Sequence, residues 1–289
     1  MRIFMIQRKI IKSILGDIMS EFELLCVTMH QKDFSKILEM NLHCDVVYAN
    51  QTDHTSYDEI EYDGHKAKMI NTMTRGVGIN RNLSLMYATA DICLLADDDM
   101  KYVSNVEDIV LSEFRKFPNA DIIIFNVETD GEKRKQKKYD KSRKCRMIER
   151  RPWGAVRIAF RLSAIKKANL WFTTMFGGGT PYPSGEDSMW INEAKHKGLN
   201  MYISEKTIGT VSFGNSTWFT GPDEKFFWGK GAYYQAVHPR TLYLWVLYFA
   251  FRVRDNCQLT FLQKIKWMIN GAKSYQQDIG VADIQNHIK

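Results

Sequence analysis

Residues 75–99 read RGVGINRNLSLMYATADICLLADDD, and three signals follow one another there. Gly76 and Gly78 stand beside Asn80, Arg81 and Asn82, as at a loop-to-helix junction. Ile79, Leu83, Met86, Tyr87 and Ala90 then recur at the spacing of one helix face. Asp91–Ala96 (DICLLA) is a short apolar run of strand length, and Asp97, Asp98 and Asp99 end it. A helix feeding a buried strand is one step of an alternating chain.

The alternation continues in both directions. Upstream, Glu23–Met29 (ELLCVTM), Asp45–Ala49 (DVVYA) and Lys66–Asn71 read as strands, with a helix over Lys32–Asn41. Downstream, a helix over Val106–Phe117 precedes a strand at Asp121–Val127. Strands alternating with helices predict an α/β fold with a mixed, mostly parallel sheet flanked by helices. Glu132–Arg151 (EKRKQKKYDKSRKCRMIERR) interrupts it. That segment holds most of the excess positive charge and reads as a loop or ragged insert. Then come a strand at Val156–Arg161, a helix at Leu162–Ala168 and the Gly-rich MFGGGTPYPSGED of residues 175–187. A helix to Lys197 follows, with Gly198 as its C-terminal cap. Strands at Asn200–Ser204 and Thr207–Phe213 lead to a helical, aromatic C-terminal region from about Asp223.

Composition narrows the class. The chain has 289 residues, 45% hydrophobic and 25% charged, which excludes wholesale disorder. Lys+Arg 40 against Asp+Glu 33 gives a net charge of +7. That balance suits an anionic partner: a nucleotide, a phospholipid surface or nucleic acid. Five scattered cysteines, none in a CxxC pair, read as reduced thiols in a reducing compartment. The basic, amphipathic start lacks the apolar core of a secretory signal. The most apolar run, Thr241–Phe251, falls short of the roughly 20 residues that cross a bilayer. The expected location is cytoplasmic, with peripheral contact at the inner membrane face.

Four groups can carry chemistry. Asp97–Asp99 end a buried strand, where open α/β sheets bind ligands, and Asp97 and Asp99 can both face a hard cation. A solvated turn is the plain alternative. Gly76–Asn82 opens a helix with an arginine, which favours phosphate. Glu186 and Asp187 after the glycines can supply a general base. They also fit a capping box with Ser184 as N-cap. Aromatic residues from Trp218 to Tyr234, and then Leu242–Phe251 flanked by Arg240, Arg252 and Arg254, fit either an interfacial helix or a core. No HExxH, Walker-type loop or GxSxG elbow occurs.

Taken in order, these pieces resemble the inverting glycosyltransferases of family 2, of the bacterial surface-polysaccharide type, with the GT-A fold. The resemblance runs from about Leu24 to Trp218. It rests on LLCVTMHQ, the strand ending NQTD, residues 75–99, and FGGGTPYPSGEDSMW followed by STW. It implies a transferase domain over residues 23–220, preceded by the basic N-terminal extension of residues 1–22. Within that domain, 23–127 is a nucleotide-binding half, 128–152 the basic loop and 153–220 an acceptor half. Beyond the resemblance, the aromatic and basic residues of 221–289 read as a helical region suited to contact with a membrane surface.

The resemblance also implies roles. Thr28 and Asp53 would hold the base and ribose. Arg81 and Asn82 would face the donor, with Asp97 and Asp98 beside them. Asp99 and Asp97 would bind Mn²⁺ or Mg²⁺. Asp187 would be the base, with Glu186 as neighbour or substitute. Gly178, Gly179 and Trp190 would line the acceptor site. The reaction implied is transfer of a sugar from a nucleotide-sugar, a UDP-sugar above all. The acceptor is a glycan or polyprenyl-diphosphate-linked chain of capsule, O-antigen or exopolysaccharide, and no nucleic acid is expected as partner. Two positions depart from the family pattern. Tyr48-Ala49-Asn50 replaces an acidic pair, and Ser212 replaces a metal-binding histidine. The rivals are a sugar nucleotidyltransferase, and a non-catalytic protein binding nucleic acid or another polyanion through the basic loop.

Overall fold

The computed structural model describes residues 20–130, 138–146, 154–212, 221–253 and 257–277. The expected extension at 1–22, much of the basic loop and the STW segment lie largely outside them. Ten strands form one mixed sheet in the order β3-β4-β2-β1-β5-β9-β7-β10-β6, with β8 also on β10. Its strands are β1 (Phe22–Met29), β2 (Asp45–Gln51), β3 (Ser56–Tyr62), β4 (His65–Thr72) and β5 (Ile92–Asp97). β6 (Met100–Tyr102), β7 (Ile122–Asp130), β8 (Arg143–Lys144), β9 (Ile158–Arg161) and β10 (Met201–Ser212) complete it.

Parallel ladders join β4-β2-β1-β5, and β7 to β10. The central strands are apolar without a break because both faces are covered. Alternation sorts their side chains. Leu24, Cys26, Val46, Tyr48, Leu94 and Ala96 enter one core layer. Leu25, Val47, Cys93 and Leu95 enter the other. Helix α2 (Val77–Tyr87) sends Leu85 into the second layer, and α3 (Val106–Lys116) sends Val106, Val110 and Phe114 into the first. The sheet therefore has helices on both faces, as the alternation predicts.

Several elements differ from the sequence reading. β3 is an edge strand of sequence SYDEIEY, exposed along most of its length, so it carries no apolar signal. Its turn does: Asp63 (φ 47°) and Gly64 (φ 83°) are both left-handed, as a two-residue hairpin turn demands. The helix expected over Lys32–Asn41 shrinks to one turn, α1 (Lys36–Glu39). The two strands expected after Asn200 are one twelve-residue strand, β10, with register shifts against β7 near Ile203 and Thr207. The basic insert is docked at its middle. There Arg143 and Lys144 pair with β10, and the Asn126 side chain bonds the Tyr139 backbone through both amide atoms, at 2.8 and 2.9 Å.

The C-terminal region is helical: α6 (Glu224–Val237), α7 (Leu242–Arg252) and α8 (Phe261–Gln276) follow α4 (Leu162–Lys167) and α5 (Glu186–His196). It has its own core of Phe227, Tyr234, Leu242, Val246, Met268 and Ala272. α6 and α8 cross backbone to backbone. A Cβ on Gly231 would lie 1.8 Å from the Met268 carbonyl oxygen, and one on Gly271 1.8 Å from that of Trp228. Trp228 also stacks on Tyr182 at 5.0 Å, which ties this region to the Gly-rich loop.

Candidate active site

The site lies at the C-terminal ends of β1 and β5, where parallel sheets leave a crevice. Asp97 is the last residue of β5 and sits opposite Val27 of β1. Met100 already begins β6, so Asp98 and Asp99 form the tight turn between the two strands. The Thr28 hydroxyl, next along β1, donates to Asp98 Oδ2. The Ser212 N–H donates to the Asp99 carbonyl at 3.1 Å, so Ser212 lies beside the acids.

Arg81 is the centre of the arrangement. It projects from α2 and is 3% exposed. Its Nη1 donates to Asp187 Oδ1 at 2.7 Å and to Glu186 Oε1 at 3.1 Å. Its Nη2 donates to Asp97 Oδ1 at 3.2 Å. One guanidinium thus joins the acids after β5 to the acids opening α5, which are 105 and 106 residues from it in sequence. Asp187 Oδ2 accepts the Ala155 N–H at 3.0 Å. The Arg81 guanidinium also lies 5.3 Å over the Phe172 ring, and Phe172 stacks on Trp190 at 5.2 Å.

Electrostatics sets protonation here. Burial, then the charge of Glu186, pushes the Asp187 carboxyl up, and Arg81 pulls it back only in part. Burial of its inner side and the charges of Asp97 and Asp98 push Asp99 up to about 6. Burial pulls Lys230 of α6 down, and the charge of Glu186 opposes that pull. Three carboxylates bond the Arg81 guanidinium, Asp98 and Asp99 adjoin them, and Lys36 and Lys230 are the further cations these acids feel. That excess of negative charge is what a divalent cation relieves, and Asp99 and Asp97 supply the hard oxygen donors it prefers. Among the described residues no three His, Cys, Asp or Glu side chains already converge as a cation cage.

The remaining expected residues separate. Asp53 is exposed beyond β2 and takes a bond from His54 at 3.0 Å, which keeps its carboxyl below the usual range. Asn82 does not face the crevice with a free amide. It bonds the Phe172 backbone both ways, at 2.8 and 2.9 Å, and so positions the ring under Arg81. Trp190 is 1% exposed and supports Phe172 from within the core, so it lines no acceptor surface. Gly178 and Gly179 lie against the start of α2: the Val77 N–H donates to the Gly178 carbonyl at 2.9 Å. A Cβ on Gly78 would sit 2.1 Å from the Thr173 carbonyl, so the two halves meet here without side chains between them. The expected capping box does not form. Gly185 (φ 121°) is the N-cap of α5, which puts Asp187 at the second helical position, and Glu186 Oε2 accepts the Gly185 N–H. Asn50 is fully buried and bonded to Asn71 and to Gln31.

Ala155, Phe172 and Lys230 escape the sequence reading. Ala155 acts through its backbone, which leaves no trace in side-chain type. Phe172 and Lys230 are ordinary residues whose role comes from what packs on them.

S. aureus TarS 1–349 superposes with a TM-score of 0.57 at 12% identity, over 89% of this chain and 92% of that one. The fold is that of TarS. The same fragment solved with UDP gives 0.54, over 89% of this chain and 72% of that one, again at 12% identity. With UDP-GlcNAc it gives 0.51, over 91% and 77%, at the same identity. No family model matches the chain, and no curated protein matches its sequence.

Proposed function

We propose that this chain is an inverting glycosyltransferase that moves a sugar from a nucleotide-sugar, most simply a UDP-sugar, to a hydroxyl acceptor. One observation carries the reading. Arg81 joins the acids at the end of β5 to the acids opening α5, so a donor-side and an acceptor-side carboxylate share one buried cation. The likeness to TarS, which has been solved with UDP-GlcNAc, supports the donor class.

In this reading Thr28 and Asp53 hold the nucleoside, and Asp98 lies beside the ribose or sugar. Asp99 and Asp97 are the residues that would hold Mn²⁺ or Mg²⁺. When bound, the ion neutralises the leaving nucleoside diphosphate. Asp187 is the base. Its raised pKa suits it to accept a proton from the acceptor hydroxyl as that oxygen attacks the anomeric carbon. Glu186 keeps Asp187 basic, and Arg81 keeps it oriented. Pro183, Gly185 and Tyr233 border the acceptor side, since Tyr233 packs on Gly185 and Gly229 faces Pro183. The acceptor is a glycan or polyprenyl-diphosphate-linked chain of a bacterial surface polysaccharide, reached from the cytoplasmic side.

Asp187→Asn tests the assignment. Sugar transfer from UDP-sugars should be lost while UDP binding persists. Retained transfer would discard Asp187 as the base.

A further inference from the structure

Helix α7 is apolar on every side. Its sequence, LYLWVLYFAFR, has no charge before Arg252. Leu242, Val246 and Ala250 fill the C-terminal core. The opposite face carries Tyr243 (68% exposed), Leu244 (68%), Leu247 (49%), Tyr248 (50%) and Phe251 (61%). These five fall at i, i+1, i+4, i+5 and i+8, which makes one continuous stripe. Phe261 and Leu262 at the start of α8 are exposed as well. A helix apolar all round belongs inside a protein or against lipid, yet half of this one is open.

The charge around the stripe chooses the occupant. α7 and α8 contain no Asp or Glu. Exposed Arg240 and Arg252 bracket α7, and exposed Lys266 and Lys273 lie on α8. Exposed aromatic and aliphatic side chains on helices that carry cations and no acids match the interface of an anionic bilayer, where rings sit at headgroup level and cations reach the phosphates. The helix has eleven residues, and among the described residues no helix can cross a membrane. It would lie in the interface plane.

We propose that the outer face of α7 docks this protein on an anionic lipid surface. The mount is rigid. Trp245 of α7 stacks on Tyr234 of α6 at 5.5 Å and on His238 at 4.8 Å. The Tyr233 hydroxyl of α6 accepts from Asn192 of α5, the helix that Glu186 and Asp187 open. The docking face and the acid pair are therefore parts of one packed unit. That a lipid-linked acceptor is the consequence rests on the transferase reading; the docking itself does not.

Flotation of the full chain with phosphatidylcholine vesicles, with and without phosphatidylglycerol, is the test. The chain should float with the phosphatidylglycerol vesicles, and the L244E/L247E variant should bind about tenfold less. Leu38→Glu, at an exposed leucine on α1, should float like the unaltered chain. An unchanged UDP thermal shift in L244E/L247E would show that it folds, and separates failure of docking from failure of the transferase reading. The proposal is overturned if the chain stays with the soluble fraction, if L244E/L247E floats equally, or if phosphatidylglycerol makes no difference. Light scattering that shows a dimer dissociated by L244E/L247E, without vesicle binding, would assign the face to a second copy instead.

Discussion

Replacing Arg81 with Met removes the cation that Asp97, Glu186 and Asp187 share. Arg81 is nearly inaccessible, whereas side-chain exposure is 37% at Asp97, 13% at Glu186 and 23% at Asp187. Stripping one partner from a buried ion pair costs about 3–5 kcal/mol. Solvent at Asp97 and Asp187 relieves part of that, so the lower end, about 3 kcal/mol, is expected at neutral pH. At roughly 2–4 °C per kcal/mol for a chain of this size, the melting temperature should fall by about 6–12 °C. The loss should also depend on pH. Asp187 is already raised, and without Arg81 it rises further. A carboxyl raised in the folded state contributes its full stability below the unfolded pKa, and that stability is lost as pH climbs through the folded value. The gap between Arg81→Met and the unaltered chain that Asp187 sets should therefore be level below about pH 8, the folded value with Arg81 present, and widen as pH climbs above it. Melts followed by circular dichroism across that range read it directly. Melting unchanged at the higher pH, or a gap that does not widen above about pH 8, would refute the shared-cation argument. Adding Glu186→Gln to Arg81→Met should recover part of the loss.

Asn82→Ala should strip both partners from the Phe172 backbone and lower stability by roughly 2 kcal/mol, read by urea unfolding, while UDP binding persists. A loss of UDP affinity without a loss of stability would instead return Asn82 to the donor. Gly78→Ala must push α2 away from the Thr173 carbonyl, only 2.1 Å from the new Cβ. It should shift Arg81 and depress transfer more than Gly154→Ala, where nothing lies within 4 Å of the added atom. Gly271→Ala should separate α6 from α8 and lower the melting temperature, with the strand core intact by far-ultraviolet circular dichroism.

The central sheet was legible because its strands are buried on both faces and so are written as unbroken apolar text. DICLLA and ELLCVTM pair in register as β5 and β1. β3 was not, because an edge strand faces water and SYDEIEY carries no period; only Asp63-Gly64 marks it. The site divides in the same way. Acids ending an apolar strand announce Asp97–Asp99, and paired acids before a helix announce Glu186 and Asp187. That Arg81 joins them is a product of topology, because α5 is brought to the mouth of β5 by packing between Gly78 and Thr173 and between Val77 and Gly178. Motif order placed Asn82 and Trp190 at the ligand, whereas geometry places them behind Arg81. Spacing along the chain does not say which side of a helix a partner approaches.

Binding of a nucleoside diphosphate at the end of β5 decides the transferase reading. Thermal unfolding should be followed with UDP, GDP, CMP and dTDP, each with and without Mn²⁺, in the unaltered chain and in Asp99→Asn. UDP at about a hundredfold over its Kd adds about 2.7 kcal/mol. The prediction is stabilisation by UDP that grows with Mn²⁺ and loses its metal-dependent part in Asp99→Asn. No response to any of the four nucleotides, with or without the metal, would contradict it.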